Sequence, residues 1–164
     1  MPSAKIAQTS APIAAPPPPA KGPCGKTPVG KSAPPLDVKS LSGPKVEVGA
    51  GHVTVVHVWA TWCGPCALSF PRFEKLWEKN NGRGMDLLAV PVDDDAQAVP
   101  QFARQHGARF SIAFDDGHVA AECWKVQTMP TTYVIDREGV LRFEHDGWRD
   151  GDADIIEKEV ESLL

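Results

Sequence analysis

An α/β sandwich with a mixed β-sheet is the fold class that this 164-residue sequence predicts, and three observations predict it. Short β-branched runs alternate with helical stretches from about residue 45 onward. Two of those runs, 53–59 and 86–93, are apolar almost throughout, as strands covered on both faces are. A period-two hairpin over 131–144 then precedes a closing amphipathic helix, so the chain reads βαβαβαββα.

The first 35 residues obey different rules. Eleven of the 16 prolines fall in residues 1 to 44, and residues 1–35 carry Lys5, Lys21, Lys26 and Lys31 with no acid. A segment of Ala, Pro and Lys with almost no large apolar side chains cannot offset its ordering entropy by burial. Residues 1–35 therefore read as a disordered tail or linker, semi-extended by its prolines, and residues 36–164 as the folded domain. Within the tail, Gly25, Gly30, Lys31 and Ser32 fit the phosphate-loop pattern G-x-x-x-x-G-K-[ST]. That loop needs a helix N-terminus behind it, whereas here Pro28 interrupts and Pro34-Pro35 follows, so the match reads as coincidence.

Each element of the body has its own signal. Val53 to Trp59 (VTVVHVW) is a buried central strand. Residues 66–79 read helical from Leu68, Phe70, Phe73, Leu76 and Trp77, with Pro71 expected to kink the helix and Asn80-Asn81-Gly82 to stop it. Asp86 to Asp93 is a second buried strand, followed by Asp93-Asp94-Asp95 as a loop with a helix N-cap before Ala96. Residues 97–106 form a helix that tolerates Pro100 in its first turn, and Gly107 ends it. A short strand at 111–114 and a short helix at 119–124 lead to Met129-Pro130. Strands 131–136 and 140–144 fold about Arg137-Glu138-Gly139, and Ile155, Ile156, Val160 and Leu163 mark a helix over 152–163.

Charge excludes some functions. Lys and Arg total 17 against 21 Asp and Glu, a net of −4, and residues 36–164 carry a net of −8. No basic excess exists to hold a phosphate backbone, so nucleic acid is not an expected partner. No apolar run approaches the roughly 18 residues that span a bilayer, and Met1 to Ala20 has no apolar core of a secretory signal.

The chemistry lies in the cysteines. Of the four, only Cys63 and Cys66 form a C-x-x-C pair, with no second pair and no H-x(3-5)-H to complete a zinc site, so no metal is expected. Trp62-Cys63-Gly64-Pro65-Cys66 stands where the buried strand ends and the helix begins. Free amides at a helix N-terminus stabilise a thiolate on Cys63, the attacking species. A lower pKa also weakens the nucleophile, so acidity changes attack only a few-fold. Cys66, one turn away, makes resolution of the mixed disulfide intramolecular, which is the larger effect. Gly64 permits close backbone approach, and Pro65 restricts the turn without donating a hydrogen bond.

VVHVWATWCGPC followed by MPTTYVIDREGVL resembles the thioredoxin superfamily, in particular its TlpA/ResA-like branch of thiol:disulfide oxidoreductases, over roughly residues 34–164. The resemblance implies a thioredoxin-like sandwich, a central mixed β-sheet flanked by helices, with the extra strand-helix insert of that branch between Cys66 and Pro130. It implies Cys63 as nucleophile, Cys66 as resolving thiol and Pro130 as a cis-proline beside them. It also implies that Met129 pairs by its backbone with an extended substrate, near Trp62, Gly64 and Pro65. It implies no cofactor beyond the Cys63–Cys66 disulfide. Expected partners are protein disulfides or dithiols, as in cytochrome c maturation or general thiol reduction, and an unidentified electron donor. A periplasmic or other extracytoplasmic setting is implied by family alone. The Gly-Pro dipeptide points to the reducing direction.

Two positions depart from the family pattern. Ser69 stands where many members have Glu, and His57 stands where thioredoxin has a buried acid. Two readings of His57 stand: a proton acceptor for Cys66, or a core histidine hydrogen-bonded to backbone. Cys24 reads as incidental, Cys123 as a small buried side chain, Trp59 as core. The competing function is a Cu(I)-binding or metallochaperone module, with Cys63 and Cys66 as soft ligands. Peroxide reduction has no peroxidatic motif to support it.

Overall fold

The computed structural model describes residues 22–164, in which six strands form one sheet of order β1-β4-β3-β2-β5-β6. The elements are β1 (Lys39–Ser42), β2 (Val53–Trp59), α1 (Gly64–Asn80), β3 (Met85–Pro91), α2 (Ala98–Gln105), β4 (Ser111–Phe114), α3 (Val119–Cys123), β5 (Thr131–Ile135), β6 (Leu141–Asp146) and α4 (Asp152–Leu163). β2 runs parallel to β3, and β3 to β4, while β5 and β6 are antiparallel, so the sheet is mixed as expected. β2 lies between β3 and β5, and all seven of its residues are buried.

Side-chain alternation divides the core in two. Val53, Val55 and Trp59 of β2 pack with Cys66, Phe70 and Phe73 of α1, Phe102 of α2, and Ile156 and Val160 of α4. Val56 and Val58 face the other way, toward Trp124, Tyr133, Leu141 and Ala33. α1 runs through Pro71 without interruption to Asn80, and Gly84 (φ 91) then turns the chain into β3. Pro100 sits in the first turn of α2, where its missing N–H costs nothing.

Three differences from the sequence reading stand out. First, residues 22–35 belong to the folded body. Gly25 N donates to Cys123 O at 2.8 Å, Ala33 N to Gly139 O at 2.9 Å, and Leu141 N to Lys31 O at 2.9 Å. Ala33 is fully buried, and Cys24 and Cys123 form a disulfide across 99 residues with Cα atoms 4.6 Å apart. Cys24 is therefore not incidental, and Cys123 is more than a small buried side chain. The physical reason is coverage: α3 is one short helix, so the segment from Ala33 through Leu36, Val38, Val46 and Val48 closes the second face of the sheet. The rest of the expected tail, residues 1–21, lies outside the described residues. The phosphate-loop pattern has no helix behind it, since residues 33–38 are irregular.

Second, β1 was not anticipated. Its four residues (KSLS) are all exposed, and it pairs antiparallel with β4 at the sheet edge, so no alternation marks it. Third, the acidic run does not cap α2 as expected. Gln97 precedes the helix without a side-chain cap, Asp95 Oδ1 accepts from Gln97 N at 2.9 Å, and Asp93 turns toward Thr61.

Candidate functional site

Cys63 is the N-cap of α1, with extended backbone (φ −93, ψ 111) that lets the strand turn into the helix. Its sulfur accepts from Cys66 N at 3.3 Å, the place where a capping oxygen would sit, and its amide donates to Ala60 O at 3.2 Å. Cys63 and Cys66 are joined in a disulfide with Cα atoms 5.3 Å apart. The two residues differ in exposure: Cys63 retains 7% of its surface, Cys66 none. Gly64 and Pro65 are exposed, and Trp62 is 70% exposed beside them. Trp59 is buried, its ring tilted at 59° to that of Phe70 with centroids 4.4 Å apart, so it is core as expected.

The Met129–Pro130 bond is cis, and Pro130 is buried. β5 pairs with β2 through Val58 and Thr131, which puts Pro130 level with Trp59, at the end of β2 from which the C-x-x-C loop departs. Met129 is half-buried and packs against the cluster that contains both cysteines. Thr131 Oγ1 donates to Thr128 O at 2.7 Å and Gly147 N to Pro130 O at 2.7 Å, so the loop is tied on both sides.

Beneath the pair lies a polar network in the apolar core. His57, Ser69 and Thr132 are all fully buried. Ser69 Oγ donates to Cys66 O at 2.7 Å, and its oxygen lies 3.1 Å from His57 Nε2. His57 Nδ1 lies 3.0 Å from Thr132 Oγ1. Because the single Ser69 proton is committed to Cys66 O, His57 Nε2–H must donate to Ser69, and Nδ1 accepts from Thr132. Burial pushes the His57 pKa down to about 3, so the ring is neutral. Neither reading of His57 anticipated these partners: they are side-chain hydroxyls rather than backbone, and no nitrogen is left free.

Asp93 is the residue the sequence reading missed. It is buried, and its carboxylate accepts from Thr61 N at 3.0 Å and from Thr61 Oγ1. It thereby holds the loop that presents Trp62 and Cys63. In the sequence it is hidden as the first of three consecutive acids, and only the adjacency of β2 and β3 brings it to Thr61. Among the described residues, no group of three or more His, Cys, Asp or Glu is placed to hold a metal ion.

Residues 29–144 match the family described as AhpC/TSA. The thiol-disulfide oxidoreductase ResA of Bacillus thuringiensis (strain Al Hakam) is 33% identical over 116 residues, covering 70% of this chain and 67% of that protein. Among solved structures, a Chlorobium tepidum protein provisionally assigned as thiol:disulfide interchange protein DsbE superposes with a TM-score of 0.73 at 31% identity, covering 83% of this chain and 97% of that one. The thioredoxin domain of a thiol-disulfide oxidoreductase from Bacteroides vulgatus has the same fold, with a TM-score of 0.71 at 19% identity over 82% of this chain and 99% of that one.

Proposed function

The chain belongs to the AhpC/TSA family and is a thiol:disulfide oxidoreductase, and we propose that it works in the reducing direction, on protein disulfides, with Cys63 as nucleophile and Cys66 as resolving thiol. The observation that carries the assignment of roles is the unequal exposure of the two cysteines in one disulfide at the head of α1. In the dithiol form, the Cys63 thiolate attacks one sulfur of the substrate disulfide and the other leaves as a thiolate. Cys66, deprotonated, then attacks Cys63 Sγ, which closes the Cys63–Cys66 bond and releases the second substrate thiolate. Two electrons have passed to the substrate, whose thiolates take up two protons. The oxidised pair is the state seen here, and a dithiol donor must return it to the start.

The cis Met129–Pro130 bond, beside the cluster that holds both cysteines, supports docking of an extended substrate along the Met129 main chain, with the exposed Trp62, Gly64 and Pro65 contributing to the same site. The Cys24–Cys123 bridge supports an oxidising compartment, because structural disulfides form and persist mainly in such compartments. The copper reading gains nothing from these features, since the named relatives are oxidoreductases.

Insulin reduction with dithiothreitol as donor tests the proposal. Wild type should accelerate it, Cys63→Ser should abolish it, and Cys66→Ser should accumulate a mixed disulfide with substrate. Equilibration with glutathione should give a potential more negative than about −200 mV, and a clearly more oxidising value would reverse the direction.

A further inference from the structure

His57 is a fully buried titratable side chain enclosed between the helix that bears the cysteines and the strand that follows the cis-proline. We infer that it is a positioning residue: a neutral, two-armed strut that holds the first turn of α1 against the start of β5, and so sets how the Cys63–Cys66 pair faces the Met129–Pro130 edge. The inference rests on the oxidoreductase reading and assigns within it a role that is neither proton transfer nor simple filling of the core.

The geometry supplies the argument. His57 and Thr132 are paired directly across β2 and β5, so their side chains leave the sheet on the same face, toward α1. One arm, Nδ1, accepts from Thr132, two residues beyond Pro130. The other, Nε2–H, reaches Ser69, whose hydroxyl caps the carbonyl of Cys66. The imidazole therefore connects the backbone of the resolving cysteine to the strand that carries the docking edge. The Phe73 ring at 4.4 Å and the Phe70 ring at 6.2 Å fix its plane. Each member of the network has its donor matched to an acceptor, and removing the imidazole leaves the Thr132 hydroxyl buried without its partner. A base must hold a free lone pair toward the proton it takes, and the one lone pair of this tautomer, on Nδ1, is spent on the Thr132 hydroxyl.

A strut and a base differ in what replaces them. Gln carries an amide donor and a carbonyl acceptor, so it can span the same two hydroxyls, yet it cannot take a proton. Leu fills much of the space and does neither. Three variants, His57→Gln, His57→Leu and Thr132→Val, are compared with wild type on insulin and on a small aryl disulfide that has no peptide to pair with the Met129 edge. His57→Leu and Thr132→Val should raise KM for insulin roughly tenfold, the scale of one buried hydrogen bond lost, and change the small disulfide less than about twofold. His57→Gln should stay within about threefold of wild type on both, with an unchanged pH profile. Thr132→Val keeps the ring and cuts one arm, so it carries the test even where His57→Leu does not fold. The inference is overturned if His57→Gln is as impaired as His57→Leu with its pH dependence altered, which is the signature of a base. It is equally overturned if Thr132→Val leaves the insulin KM unchanged. Inactivity of the wild-type protein on both disulfides would remove the oxidoreductase reading itself, and the inference with it.

Discussion

At the scale of single residues, the site is built from groups whose role depends on what covers them. Cys63 and Cys66 share a motif, but the first residue keeps some solvent-exposed surface and the second keeps none. His57 shows the same dependence in its protonation. Burial holds its folded-state pKa near 3, below the ordinary histidine value of 6.5, so between those values the unfolded chain binds one more proton. Stability from this group is complete above about pH 6.5 and declines as the pH falls toward 3, by up to about 1.4 kcal/mol per pH unit. Urea midpoints for wild type and His57→Gln at about pH 7.5 and 4.5 check this, and the acid-induced loss should be smaller in the variant. An equal loss in both would show that the ring is not the group responsible. The C-x-x-C pair and the cis Pro130 were legible in the sequence because each belongs to a short local pattern. Ser69 was legible only as the absence of an expected acid. Asp93 and Thr132 were not legible as partners, since Asp93 lies 32 residues from Thr61, and Thr132 lies 75 from His57.

Among the elements, those with a strong period were readable to within a residue or two. β2, β4 and α4 fall at the expected bounds, and α1 extends the expected helix by two residues at its start and one at its end. The element that escaped was the N-terminal segment, whose composition argues against a core of its own and is silent about docking. Its anchors are a disulfide, three backbone hydrogen bonds to the β5–β6 turn region, and Trp124 Nε1 donating to Pro35 O at 3.0 Å. Closing a loop of about 100 residues should stabilise the fold by about 4 to 5 kcal/mol on the chain-entropy account. The double variant Cys24→Ser/Cys123→Ser should accordingly lose several kcal/mol in urea unfolding while still reducing insulin. A loss below about 1 kcal/mol would show that the bridge does not constrain the chain in this way.

For the whole molecule, the decisive arrangement is that three helices share one face of the sheet and leave the other to α3 and residues 22–48. A chain beginning at Leu36 should therefore unfold at lower urea than one beginning at Gly22. The difference should exceed that of the double cysteine variant, because Ala33 and the backbone pairing at Ser32–Val140 are lost as well. Equal midpoints for the two chains would place the domain boundary at 35/36 after all. By itself the sequence determined the alternation of strands and helices, the mixed sheet and the dithiol at a strand-to-helix junction, because each is written in contacts a few residues apart. Only the tertiary structure decided which cysteine pairs with Cys24, which carboxylate holds the Thr61 loop and where the protons of His57 go. Those depend on strand order, which brings together residues dozens of positions apart whose side chains carry no mark of one another.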